Sequence, residues 1–178
     1  IKGIEYDFET PTFFMIVEKW EALPEECYTD GSKLITYRYK REMPEHKTIN
    51  YITAVKLQNF KKEEKAIEIL YTHDGEVLEC ATSNIFIVKD NVLITPVEDV
   101  LSGITRKVIL ELAETAGYKI EQRRVYEEEL KTADEVFITS SFKDIVPVVK
   151  IDDFMVAQGL VGPVAKDLMG KFAEVLKM

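Results

Sequence analysis

The alternation of apolar and polar positions predicts a chain of short strands interrupted by single helices. Runs rich in Val, Ile, Phe and Tyr, bounded by polar turn residues, are typical of strands. These runs cover residues 13–17, 33–39, 66–71, 76–79, 84–88, 92–95, 118–124, 136–139 and 145–149. Short polar segments containing Asp74-Gly75 and Asp90-Asn91 separate two pairs of these runs and predict two hairpins. A further turn is predicted at residues 127–132.

Helical spacing of apolar residues appears in three segments, 50–68, 104–116 and 163–176. The middle segment is the clearest, with Ser102 in the position of an N-cap and Gly117 in the position that follows a helix C-terminus. Its apolar face is formed by Ile104, Val108, Leu112 and Ala113. The last segment begins with proline, which suits the first turn of a helix. Hairpins followed by single helices predict a mixed, largely antiparallel α+β fold.

Composition narrows the class of protein. The chain has 178 residues, of which 46% are hydrophobic and 31% charged. That length allows one large domain with its own core, and no apolar run approaches the length of a membrane span. The net charge of −9 argues against a nucleic-acid partner, whose phosphates require a basic surface. Two cysteines without metal spacing or a disulfide framework fit a reducing cytoplasm, and no metal site is predicted.

One carboxylate stands out at the end of a predicted hairpin strand. Glu79 alternates with the apolar Val77, so its side chain is expected to face inward, where an unpaired carboxylate is costly. From the residues alone, a structural salt bridge is the favoured interpretation. Further along the chain, Ile104 and Thr105 begin the clearest helix, and the free N–H groups of a helix start favour an anion. The two features together suggest a site for a cofactor with a phosphate and a protonated ring nitrogen.

The order of four sequence blocks resembles the class IV aminotransferases. These blocks are HKTINY at 46–51, ECATSNIF at 79–86, LSGITR at 101–106 and ADEVF at 133–137. The family comprises the fold-type IV pyridoxal-phosphate enzymes, which include branched-chain aminotransferase, D-amino-acid aminotransferase and aminodeoxychorismate lyase. The resemblance extends from about Phe13 to the C-terminus. It implies the fold of the large C-terminal domain of D-amino-acid aminotransferase-like enzymes, a mixed sheet or pseudo-barrel with flanking helices.

The resemblance also implies pyridoxal 5′-phosphate as cofactor and gives roles to two residues around its ring. Lys47 would form the Schiff base with the cofactor aldehyde and then move the proton between the substrate Cα and the cofactor. Because an amine must be neutral to attack, desolvation and nearby positive charge are expected around Lys47. Glu79 would pair with the pyridine nitrogen and keep it protonated, so that the ring can act as an electron sink.

Five further residues would complete the cofactor site by resemblance. The backbone N–H groups of Ile104 and Thr105, with the Thr105 hydroxyl, would hold the phosphate. Ser141, in the polar run that ends the strand at 136–139, would also reach the phosphate. Leu101 would pack against one face of the ring, and Tyr51 could contact its phenolic oxygen.

The family has a small N-terminal domain that precedes the region matched here. The chain opens without Met or a signal peptide, so we interpret it as a piece of a longer protein. Residues 1–21 are then expected to be the remnant of that small domain, ending in its last strand. Residues 22–32 would be an interdomain linker, and residues 33–178 the large cofactor-binding domain.

Two departures from the family pattern concern the substrate rather than the cofactor. Some relatives have Arg-Gly where this chain has Lys19-Trp20, and Phe142-Lys143-Asp144 replaces a turn of small or polar residues. The resemblance implies transamination between an amino acid and a 2-oxo acid in a cytoplasmic homodimer. Two alternatives remain: an aminodeoxychorismate lyase that releases pyruvate, and a truncated domain that binds cofactor without catalysis.

Overall fold

The computed structural model describes residues 9–10, 12–19 and 21–177. Its centre is one mixed sheet. The strands are β1 (Ser32–Arg38), β2 (Glu68–His73), β3 (Glu76–Cys80), β4 (Asn84–Lys89), β5 (Val92–Thr95), β6 (Lys119–Gln122), β7 (Val125–Tyr126), β8 (Glu135–Ser140), β9 (Asp144–Ile151) and β10 (Phe154–Met155). The helices are α1 (Glu26–Thr29), α2 (Ile52–Lys56), α3 (Gln58–Glu63), α4 (Ile104–Thr115), α5 (Glu127–Thr132) and α6 (Pro163–Val175).

The strand order is β6-β5-β4-β8-β9-β1-β2-β3-β7, and β10 pairs with β9. Parallel pairings join β1 to β2, β1 to β9 and β5 to β6, while the other pairings in the described chain are antiparallel. The sheet curls into a half-barrel, which confirms the predicted α+β class and the mixed, largely antiparallel sheet. Both predicted hairpins, β2–β3 and β4–β5, are formed.

The core occupies both faces of the central strands. In β4, Ile85 and Ile87 belong to one buried cluster, while Phe86 and Val88 belong to the cluster beneath α4 and α6. This is the period-two alternation of a strand that is covered on both sides. The rings of Phe86 and Phe137 stack with centroids 5.0 Å apart. The ends of these two strands carry polar side chains, among them Asn84 and Thr139.

Two predicted elements are wrong in kind. Residues 13–17 form no strand; the described backbone over 12–19 is irregular and its side chains are exposed. The predicted turn at 127–132 is helix α5. Glu129 stabilises the start of this helix by accepting the Tyr126 N–H at 2.9 Å and pairing with Arg123 at 2.7 Å. Three consecutive acidic residues in the first turn also favour the helix N-terminus.

The long helix predicted over residues 50–68 is divided and ends early. It consists of α2 and α3, which meet at Leu57. Lys65 adopts a positive φ of 52°, which ends the helical path, and the Ile67 N–H then bonds to Lys33 O at 2.8 Å as the chain enters the sheet. Helix α1 lies within the predicted linker. No helix in the described part of the chain is long and apolar enough to span a membrane.

Candidate active site

The seven predicted site residues line a single cavity of about 570 Å³. It opens where the loop after β1, the end of β3, the start of α4 and the turn after β8 come together. The residues brought together are Lys47, Tyr51, Glu79, Leu101, Ile104, Thr105 and Ser141. Distant parts of the sequence therefore contribute to one site, although the roles of these residues stay predictions.

Glu79 is buried at the end of β3 and bonds through both carboxylate oxygens. Its Oε1 lies 2.6 Å from Nη2 and 2.8 Å from Nε of Arg41. Its Oε2 accepts the backbone N–H of Leu101 at 2.9 Å. Burial raises the pKa of Glu79 above its ordinary value, even though the Leu101 N–H, Arg41 and Lys47 act in the opposite direction. The carboxylate is thus held in place but incompletely compensated by positive charge.

Arg41 also fixes the loop that leads to Lys47. Its Nη2 donates to the backbone carbonyl of Pro44, and its Nη1 donates to that of His46 at 3.3 Å. Sequence reasoning missed Arg41. The only available signal was the inward-facing Glu79, which requires a cation without indicating which one.

The surroundings of Lys47 differ from the expected ones. Lys47 lines the cavity, but the residue is exposed, so the described chain does not provide the expected desolvation. Tyr51 is 39% exposed and immediately precedes α2. This side of the cavity is therefore open to solvent.

Helix α4 begins at the cavity with an uncapped N-terminus. The predicted cap, Ser102, is wrong: Gly103 occupies the N-cap position, and no side chain among the described residues caps the helix. Ile104, predicted on the buried face, is 79% exposed and lines the cavity. The prediction for the other end is confirmed, because Gly117 has a φ of 81° and its N–H bonds to Glu114 O at 3.0 Å.

Asn84 holds the approach to α4. Its Nδ2 donates to Leu101 O at 2.8 Å, while its Oδ1 faces the backbone at Gly103. A Cβ at Gly103 would lie far inside the van der Waals distance of that oxygen, so a larger residue there would have to displace the Asn84 side chain. The loop before α4 is therefore held by the first residue of β4, the strand that follows the Glu79 strand in sequence.

At the start of α6, a side chain of the protein accepts the free backbone N–H groups. Buried Glu135 accepts the N–H groups of Val164 and Ala165 at the start of α6, at 2.9 and 2.8 Å. At α4 no described side chain caps the helix, and the residues of its first turn line the cavity. An anion in the cavity could take the place that Glu135 takes at α6.

The end of β8 adds hydroxyl groups to the same wall. Thr139 and Ser140 line the cavity, and their hydroxyl oxygens are buried without a hydrogen-bond partner in the described structure. Buried hydroxyls without partners are rare and costly. Together with Ser141 they form a polar surface next to the start of α4, and the sequence had drawn attention only to Ser141.

Other reactive side chains offer less. Cys80 lines the cavity, but burial raises the pKa of its thiol, which favours a core role over a nucleophilic one. No group of three or more His, Cys, Asp or Glu residues suited to a metal ion occurs within the residues described.

The half-barrel thus has a cavity at its strand ends that is lined by a buried carboxylate, a lysine and an uncapped helix start. The family described as amino-transferase class IV matches residues 2–151, and the chain belongs to this family.

Individual relatives agree with this assignment. The chain is 36% identical over 148 residues to a D-alanine aminotransferase of Bacillus licheniformis, covering 82% of this chain and 52% of that protein. It is 33% identical over 153 residues to a D-alanine aminotransferase of Listeria innocua, covering 84% and 53%. The chain thus spans about half the length of the curated relatives it matches.

Solved structures of branched-chain amino acid aminotransferases share the fold. The Escherichia coli enzyme superimposes with a TM-score of 0.80 at 30% identity, covering 88% of this chain and 55% of that one. The "T.th." enzyme, solved with pyridoxamine 5′-phosphate, gives a TM-score of 0.80 at 31% identity, covering 88% and 54%.

Proposed function

We propose that this chain binds pyridoxal 5′-phosphate and that the protein uses it for transamination between an amino acid and a 2-oxo acid. The observation that carries the proposal is the meeting of Lys47, Glu79 and the uncapped start of α4 in one cavity. Family membership and relatives named as D-alanine and branched-chain aminotransferases support the reaction class.

The polar wall of the cavity fits a phosphate. The N–H groups at Ile104 and Thr105 point out of an uncapped helix of twelve residues, where the helix dipole favours negative charge. Thr139 and Ser140, whose buried hydroxyls have no partner in the described structure, also line this cavity, and a hydroxyl there can donate to an anion. A phosphate would supply an acceptor for donors that have none among the described residues.

The opposite part of the cavity fits a protonated ring. Glu79 is buried and its pKa is raised, so an additional cation beside it would stabilise the ionised carboxylate. Arg41 and the Leu101 N–H orient that carboxylate without exhausting its acceptor positions. Leu101 and Tyr51 both line the cavity, and Leu101 can cover one face of the ring. When bound, the cofactor supplies an electron sink for the bond changes at the substrate Cα.

Lys47 is proposed as the amine that bonds to the cofactor and then moves the proton at the substrate Cα. Its exposure in the described chain means that another surface must exclude water from it during catalysis. Apolar side chains at Ile49, Ile52 and Val55 are exposed close to Lys47 in sequence. We propose that the full-length protein is a cytoplasmic homodimer. We propose further that its N-terminal domain or its partner subunit covers these side chains.

The test uses the full-length protein with pyridoxal phosphate. We expect amino transfer from D-alanine or a branched-chain amino acid to 2-oxoglutarate, and its loss in Lys47→Ala. Release of pyruvate from aminodeoxychorismate without amino transfer would assign the lyase reaction instead. Failure to acquire a visible absorption band with the cofactor would contradict the proposal altogether.

A further inference from the structure

A second charged network borders the cavity and is formed by residues other than Arg41 and Glu79. The carboxylate oxygen Oε1 of Glu68, at the start of β2, accepts from Lys143 Nζ at 2.9 Å and from Ser83 Oγ at 3.0 Å. It also accepts from the hydroxyl of Thr82. Lys143 Nζ in turn lies 2.7 Å from Thr82 Oγ1. Only 4% of the Glu68 side chain and 18% of the Lys143 side chain are exposed.

This network joins two turns that both line the cavity. Thr82 and Ser83 belong to the turn between β3 and β4, and Lys143 belongs to the turn between β8 and β9, residues 141–143. The two turns are distant in sequence, since the Lys143–Thr82 bond spans 61 positions. A buried ion pair with additional hydrogen bonds to its carboxylate is geometrically specific, because any displacement leaves a charge without a partner.

The β8–β9 turn is the loop of a hairpin whose strands pair up to Ser140 and Asp144. Apart from the bonds of that ladder, one backbone bond is found in the described turn, from the Lys143 N–H to Ser140 O at 3.4 Å. Phe142, at its centre, is 76% exposed and does not anchor it in the described core. Asp144 closes the turn with a positive φ of 54°. The ladder thus holds the two ends of the segment that carries Ser141, and the side chain of Lys143 bonds the segment itself to Glu68 and to the β3–β4 turn.

We propose that Lys143 is a positioning residue, which through Glu68 locks the β8–β9 turn against the β3–β4 turn and so sets Ser141 for cofactor binding. The inference rests on the proposed function and deepens it at the same site. Because Glu68 neutralises Lys143, the lysine acts through geometry and does not present a free charge to the ligand. Productive sites tolerate little displacement of such supporting groups.

The test measures cofactor affinity and kinetics of the full-length protein and four variants. Lys143→Met keeps the aliphatic stem and removes the charge, while Lys143→Arg restores a donor for Glu68. The double variant Glu68→Gln with Lys143→Met removes both charges, so that no buried charge is left unpaired. Lys89→Met is the matched control, because it breaks a lysine–carboxylate pair, with Asp134 at 3.1 Å, whose two side chains are 41% and 50% exposed.

We expect Lys143→Met and the double variant to raise the Kd for pyridoxal phosphate and lower kcat/KM by about 10- to 100-fold. Lys143→Arg should recover part of both, and Lys89→Met should match the wild type. The double variant should remain folded by circular dichroism, which separates positioning from global unfolding. An unchanged Kd in Lys143→Met and in the folded double variant would overturn the inference while leaving the proposed function intact. A wild type that fails to bind the cofactor would instead overturn both.

Discussion

Arg41 pairs with the buried Glu79 at the cavity, with Nη2 and Oε1 2.6 Å apart, and the same guanidinium bonds to backbone carbonyls in the loop that ends at Lys47. One side chain thereby links the carboxylate proposed to face the cofactor ring with the segment carrying the proposed reactive amine. Leu101 joins the same carboxylate from the other side, through its N–H at 2.9 Å. The carboxylate of Glu79 therefore joins the loop before Lys47 to the loop before α4.

Arg41→Met should destabilise the protein, because it leaves a buried carboxylate without its cation. Loss of one partner of a buried pair typically costs about 3–5 kcal/mol, measurable as a lower urea midpoint. Arg38→Met is the control, because Arg38 pairs with Asp74 at 2.5 Å with both side chains largely exposed. Exposed ion pairs contribute little to stability. Equal losses of stability in the two variants would therefore contradict the prediction that Arg41 stabilises a buried carboxylate.

Glu79→Gln should change the dependence of stability on pH. The folded pKa of Glu79 is raised above its unfolded value of 4.5, so the folded state binds the proton more tightly than the unfolded state. The wild type should therefore lose stability relative to Glu79→Gln as pH rises from below the unfolded pKa through the folded pKa. Urea unfolding of both proteins across acidic to neutral pH measures this. A difference that is flat, or that grows in favour of the wild type with pH, would contradict the raised pKa.

Gly103→Ala and Gly170→Ala should have opposite effects. A Cβ at Gly103 would collide with Asn84 Oδ1, so the substitution must displace the side chain that holds the loop before α4. Overpacking of this kind costs about 1–3 kcal/mol. Gly170 lies within α6 and a Cβ there meets nothing within 4 Å. Alanine should stabilise that helix by about 0.5–1 kcal/mol. Thermal melts show whether each variant raises or lowers the Tm. A higher Tm for Gly103→Ala would disprove the close contact.

Thr139→Val should weaken cofactor binding without loss of stability in the absence of the cofactor. The Thr139 hydroxyl is buried and has no partner in the described structure, so its removal relieves an unsatisfied group. Thr95→Val is the contrasting variant, because the buried Thr95 hydroxyl donates to Ile85 O at 2.8 Å. Thr95→Val should lower the free energy of unfolding by about 1–3 kcal/mol. Melting with and without pyridoxal phosphate separates the two effects. An unchanged cofactor-induced rise in Tm for Thr139→Val would exclude its hydroxyl from the site.

The fold was predictable where local pattern and tertiary burial agree. Strand β5 has the predicted bounds and β4 extends one residue beyond them, because both are short runs rich in β-branched and aromatic residues that are bounded by polar turns and buried. The predicted strand at residues 13–17 failed for the opposite reason. Its apolar composition is that of a strand, but in the described chain these residues have no neighbouring strand and remain exposed.

The sequence predicted residues that line one cavity, but it did not predict the contacts among them, and their roles stay predictions. The inward phase of Glu79 followed from strand periodicity, and the helix start at Ile104 from spacing. Arg41 and the Gly103 N-cap could not be inferred, because each depends on a partner brought close only by the fold: Glu79 for Arg41, and Asn84 for Gly103. Periodicity predicts which face of a helix or strand a residue occupies, but it does not predict which residue that face contacts.

The most direct test of the cofactor site is reductive trapping on the full-length protein. Incubation with pyridoxal phosphate, reduction with borohydride and peptide mass spectrometry should locate a phosphopyridoxyl group on Lys47. Lys143, the other lysine lining the cavity, serves as the internal control because its Nζ is bonded to Glu68. We predict modification of Lys47 in the wild type and no modification of a cavity lysine in Lys47→Met. Labelling of Lys143 or of surface lysines with Lys47 unmodified would contradict the proposed site.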